Sequence, residues 1–153
     1  MDELKDGTYD RVREALPGIC IVQAIHVMNE HAIDQAVRLS NSVDAVLLDS
    51  GNPGLEVKQL GGTGRTHDWE ISRQIRESIG KPVFLAGGLT PDNVRHAIDA
   101  VHPFAVDVCS GVRSNGRLDK RKLERFFAAV NGQSDHHSEE IHDRTNSMDA
   151  EGV

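Results

Sequence analysis

Asp49 closes an apolar run, Val43-Asp44-Ala45-Val46-Leu47-Leu48, and is followed by Ser50. A carboxylate on the last residue of a buried strand sits at the position where α/β enzymes keep their chemistry, and partial desolvation there suits a carboxylic acid to general acid work. A strand-end aspartate that accepts N–H bonds from the following loop would occupy the same position, so the two readings stand open. The loop itself, Leu60-Gly61-Gly62-Thr63-Gly64-Arg65-Thr66-His67-Asp68-Trp69, carries glycines that let the backbone bend sharply and turn several N–H groups toward one point.

The same arrangement recurs twice downstream. Pro82-Val83-Phe84-Leu85-Ala86 runs into Gly87-Gly88-Leu89, and Ala105-Val106-Asp107-Val108-Cys109 runs into Ser110-Gly111-Val112. Gly87, Gly88, Ser110 and Gly111 are candidates for a phosphate clamp built from backbone N–H groups; each pair alone would equally read as a tight turn. Asp107, read inside the fourth strand, needs a partner or a ligand: a substrate hydroxyl on one reading, a salt bridge to Arg113 or Arg65 on the other. Arg65 and Arg113 read as solvated loop charges that can also meet an anion. His26, at the end of the first strand, is an acid/base group or a filler of the sheet mouth. His136, His137 and His142 lie in polar text and read as solvated. Cys20 and Cys109 fall in apolar runs and read as buried, reduced thiols.

These residues need elements to hold them. Periodicity predicts helices over 8–16, 30–40, 69–79, 91–101 and 119–130, with Asn29 and Asp68 as caps and Pro91 at a first helical position. The apolar positions Ile33, Ala36 and Val37 share one face of the second helix. Strands are predicted over 19–27, 43–48, 83–86 and 105–109. Strands nearly continuous in apolar residues, alternating with helices, mean a parallel sheet covered on both faces. Residues 1–131 are expected to form one unit, and 132–153, almost free of apolar residues, a disordered polar tail.

The chain of 153 residues carries 24 acidic against 17 basic residues, a formal net charge of −7. That balance argues against nucleic acid as a partner, since phosphate backbones need a basic face. No apolar run approaches the roughly 20 residues of a membrane helix, and the charged N-terminus has no signal-peptide core, so a cytoplasmic location is expected.

Taken together, Leu47-Leu48-Asp49-Ser50, Gly61 to Trp69, Leu85-Ala86-Gly87-Gly88-Leu89-Thr90-Pro91-Asp92-Asn93-Val94 and Pro103 to Val112 form an ordered set. In this set, over about residues 8–130, the chain resembles the phosphoribosylanthranilate isomerases of tryptophan biosynthesis. The resemblance implies a parallel βα-barrel (TIM-barrel) fold and an Amadori rearrangement of N-(5-phosphoribosyl)anthranilate, with no metal or organic cofactor. It implies Asp49 as the general acid. It places Gly87, Gly88, Ser110 and Gly111 at the phosphate and Asp107 near the reacting sugar. The family opens with a strand bearing a Cys-Gly motif whose cysteine is the general base, and this chain has no such segment. What the resemblance implies is therefore the C-terminal half of a barrel, four βα units, on an N-terminally truncated chain. Self-association or a separate N-terminal half-barrel would complete it. The alternative is a noncatalytic phosphate-ligand-binding or assembly module that has lost the base.

Overall fold

The structure is a computed structural model that describes residues 7–49 and 69–132. The glycine loop with Arg65, the cap expected of Asp68 and the tail expected from residue 132 onward lie outside the described residues, apart from Gly132. Helix α1 (Thr8–Ala15) is followed by β1 (Val22–His26), α2 (His31–Ser40), β2 (Ala45–Asp49), α3 (Trp69–Ser78), β3 (Val83–Leu85), α4 (Val94–Val101) and β4 (Ala105–Val106). A 3-10 turn (Ser110–Val112) leads into the hairpin β5 (Arg113–Ser114) and β6 (Arg117–Leu118), and α5 (Lys120–Val130) closes the described chain.

Strands β1 to β4 pair in chain order, and every pair is parallel. Parallel neighbours need a crossover, and here the intervening helices supply it. Ile25, Val46, Leu48, Val83 and Leu85 join Ala32, Ala36, Ile75, Val94 and Ala97 of the helices in one core. Each fully buried Val, Leu or Ile side chain among these contributes about 1.5–3 kcal/mol.

The opposite face of the sheet departs from the expected two-sided cover. Val22 is 49% exposed, and Ala24, Leu47 and Phe84 are only partly buried. Helices α2 to α5 pack sequentially, α2 on α3, α3 on α4 and α4 on α5, and bury one face of the sheet. Alternation along β1, with Gln23 and Ile25 buried between more open neighbours, follows from this one-sided cover.

The ends of the elements also shift. Strand β1 starts at Val22 rather than Ile19, which leaves Ile19 43% exposed and Cys20 exposed before the strand. Helix α2 buries Ala32 and Ala36, while Val37 is 44% exposed. Asn29 does meet the start of that helix, its Oδ1 accepting from the His31 N–H at 3.0 Å. Helix α4 starts at Val94, not Pro91, because residues 91–93 form a turn held by the Asn93 side chain. The β5–β6 hairpin was not anticipated. Its Asn115-Gly116 pair has φ 52° and 76°, the left-handed conformations that a two-residue hairpin turn demands.

The N-terminal end of the sheet is fastened by polar contacts. The Tyr9 hydroxyl donates to Gln23 Oε1 at 2.7 Å. Asp44 accepts from the Ile21 N–H at 2.7 Å and pairs with Arg13 at 3.0 Å. The Ile21 N–H above all, with the Arg13 guanidinium beside it, holds the Asp44 carboxyl below its ordinary range.

Candidate active site

Strands β2, β3 and β4 bring their C-terminal ends to one edge. The Ala86 N–H donates to the Leu48 carbonyl at 2.8 Å, and the Asp107 N–H to the Leu85 carbonyl at 2.8 Å. The ladder therefore continues past the strands and sets Asp49, Ala86 and Asp107 side by side at their C-terminal ends. In an open parallel sheet this is the edge where ligands bind.

A cleft opens there. Asp49 and Asp107 line it together with Gly87, Gly88 and Ser110. Five of the six residues singled out in the sequence thus meet around one space. Asp107, read as internal to a buried strand, lies beyond the end of β4 and is exposed. No ion pair joins it to Arg113, whose guanidinium donates to the Gly116 carbonyl of its own hairpin at 3.2 Å. An aspartate released from the sheet at its mouth faces solvent rather than the core. His26 stands opposite Asp49 in the β1–β2 register but is not part of the cleft lining.

Gly87 and Gly88 have φ 83° and 66°. Side chains rarely tolerate this conformation, and here two in succession turn the chain from β3 toward α4. Among the described residues, the N–H groups of Gly87, Gly88 and Leu89 donate no backbone hydrogen bond. Three successive uncommitted donors on a glycine turn form a concavity suited to an anion.

Gly111 has a different reason to be glycine. A Cβ there would lie 1.8 Å from the Leu89 carbonyl oxygen and 2.9 Å from its carbon. It is not part of the cleft lining; its backbone instead presses the 3-10 turn against the Gly87–Leu89 loop. Cys109, expected as a packed thiol, is exposed and lines the cleft. Its place at the end of an apolar run concealed that β4 ends three residues earlier.

Two positioning contacts went unread in the sequence. Asn93 ties its side chain to the Gly88–Thr90 turn. Asp119 caps α5 by accepting from the Lys122 N–H at 3.2 Å, and it also accepts from the Ser114 hydroxyl at 2.7 Å, which anchors the hairpin after the cleft. The Ser114 bond, followed by that N–H, holds the Asp119 carboxyl below its ordinary range. Among the described residues, no group of three or more His, Cys, Asp or Glu side chains gathers to hold a metal, and no helix is long and apolar enough to cross a membrane.

Four parallel βα units, with carboxylates and glycine turns at the strand C-termini, define a βα-barrel type of chain with a cleft at that edge. The family model described as N-(5'-phosphoribosyl)anthranilate (PRA) isomerase matches residues 5–129, and the chain belongs to that family. The isomerase of Methanothrix thermoacetophila is 46% identical over 110 residues, covering 72% of this chain and 51% of that one. The crystal structure of phosphoribosyl anthranilate isomerase from Thermotoga maritima matches with a TM-score of 0.66 and 33% identity, over 83% of this chain and 58% of that chain. A phosphoribosyl anthranilate isomerase in complex with reduced 1-(o-carboxyphenylamino)-1-deoxyribulose 5-phosphate matches with a TM-score of 0.62 and 30% identity, over 83% of this chain and 56% of that one. The chain spans about half the length of the curated relatives it matches.

Proposed function

We propose that this chain supplies the C-terminal half of a phosphoribosylanthranilate isomerase active site and acts in the cytoplasm on N-(5-phosphoribosyl)anthranilate. The observation that carries the reading is the convergence of Asp49, Asp107, Gly87, Gly88 and Ser110 on one cleft at the strand C-termini, in a chain of that family. In this reading residues 1–131 act as one half-barrel unit.

The reaction needs an acid, a base and an anchor. Asp49, as general acid, protonates the ribose ring oxygen, and the ring opens to an iminium. A general base removes the proton from C2′, and the electrons collapse to an enolamine that becomes the ketose product. The Gly87–Leu89 N–H groups, with Ser110 across from them, hold the phosphate, while Gly111 backs the same loop; the phosphorylated ligand held by the related structure supports this. Asp107, at the mouth beside Asp49, hydrogen-bonds the sugar. The base belongs to the family's Cys-Gly strand, for which neither described cysteine substitutes.

A polypeptide carrying the first four strands of the family, co-expressed with this chain, should yield isomerase turnover measured by the decay of N-(5-phosphoribosyl)anthranilate fluorescence. In that complex Asp49→Asn should lower turnover about 10²–10⁴-fold, the usual worth of one positioned acid. Near-wild-type turnover of the variant would remove Asp49 from the acid role. Phosphate binding without any turnover in the complex would instead favour the noncatalytic module.

A further inference from the structure

The Gly87-Gly88 turn is not self-supporting. Two successive residues in the left-handed region, at φ 83° and 66°, make few bonds of their own. Glycine also has the most backbone freedom to lose when ordered. Something must hold this turn if its N–H groups are to point together at a ligand.

The structure assigns that task to Asn93. Its Oδ1 accepts from the Thr90 N–H at 2.8 Å, and its Nδ2 donates to the Gly88 carbonyl at 3.0 Å. Both bonds run from one planar amide at the start of α4, a helix whose own ladder starts as the Val94 N–H donates to the Thr90 carbonyl at 3.0 Å. The consequence for the cleft follows from peptide geometry. No peptide bond here is cis, and in a trans unit the carbonyl and N–H point in opposite directions. With the Gly88 carbonyl held on Asn93, the Leu89 N–H is directed away from α4. The Thr90 N–H is consumed by Asn93, so the turn offers a ligand only the three donors of Gly87, Gly88 and Leu89. Gly111 supports the same loop from the other side, at the Leu89 carbonyl. Asn93 is thus a positioning residue. It touches no ligand and sets the orientation of the donors that do, an inference that rests on the phosphate-binding reading above.

The two halves of the amide can be separated. Asn93→Asp keeps an acceptor for the Thr90 N–H and loses the donor to Gly88, because an ionised carboxylate only accepts. Asn93→Ala loses both. The test is a titration of the full-length ¹⁵N-labelled chain with inorganic phosphate, read at the Gly87, Gly88 and Leu89 amides, at low and at high ionic strength. In the wild type these three amides should shift together and saturate. Asn93→Asp should lower the affinity about five- to tenfold, the loss expected of one net hydrogen bond, and Asn93→Ala at least as much. For Asn93→Asp the loss should persist at high salt, where a mere charge effect is screened, and the amides of α4 should stay at their wild-type positions. An Asn93→Asp variant that binds as the wild type does, or recovers wild-type affinity at high salt, overturns the role. Absence of any shift in the wild type removes the phosphate reading itself, an outcome distinct from a failure of Asn93.

Discussion

Cys109 is the residue whose placement changed most between sequence and structure, and its exposure makes it a reporter. Its thiol lines the cleft beside Asp107 and Ser110, whereas Cys20 is exposed ahead of β1, at the opposite end of the parallel strands. Iodoacetamide should therefore label both. Saturating phosphorylated product should slow labelling of Cys109 severalfold and leave Cys20 unchanged, read by mass spectrometry of the two peptides. Equal rates at Cys109 with and without the product would mean that the ligand binds elsewhere. Asp107 teaches the same lesson from the charged side. The apolar run around it places it inside a buried strand, in need of a partner or a ligand, yet it lies beyond β4 and opens on the cleft.

At the scale of elements, the two ends of the sheet divide their work. The candidate functional groups gather at the C-terminal ends, while the N-terminal ends carry contacts that hold the fold together. Asp44 exemplifies the second kind, joining the backbone before β1 to α1 through Ile21 and Arg13. Its carboxyl is held below the ordinary value of 3.8, first by the Ile21 N–H and then by Arg13. A depressed folded-state pKa adds stability above the unfolded value, and that stability disappears as pH falls through the folded one. Asp44→Asn should therefore lower the melting temperature at pH 7 and converge with the wild type below about pH 3, measured by circular dichroism. A constant difference across that range would mean that Asp44 acts only by its shape. Other element ends follow local chemistry: α4 terminates on His102 at φ 52° ahead of Pro103, and α5 starts on the Asp119 cap.

For the molecule as a whole, the decisive feature is the open sheet. Strands β1 and β4 each have one neighbour among the described strands, and unpaired edges recruit other chains. Beside them lie exposed apolar side chains, Val22 at 49% and Phe104 at 72%, the latter stacked edge-to-face on Phe84 with ring centres 5.6 Å apart. The isolated chain should self-associate, as a dimer or larger species in light scattering. Val22→Lys, which puts a charge on the edge strand, should shift it toward monomer. A monodisperse wild-type monomer would show that these edges are closed within the chain itself.

How much of this was legible in the text follows from what each signal reports. Apolar runs between helical periods marked β1 to β4 and their parallel order, because burial on a sheet needs consecutive apolar residues. The candidates Asp49, Gly87, Gly88, Asp107 and Ser110 line one cleft because each stands at or just past the end of such a run, and a parallel sheet carries all its strand ends to one edge. The Asn115-Gly116 pair, an Asn-Gly turn signal, marks the hairpin in the text as clearly. Other features have no local signature. Periodicity shows which residues favour burial, but exposure depends on which neighbours arrive, so Cys109, Val22 and Val37 were misjudged alike. The close approach of Gly111 to the Leu89 carbonyl and the two bonds from Asn93 to the Gly88–Thr90 turn exist only once β3, β4 and α4 have been packed. They depend on separations of a few ångströms between backbone segments, and no pattern of residue types along the chain encodes such separations.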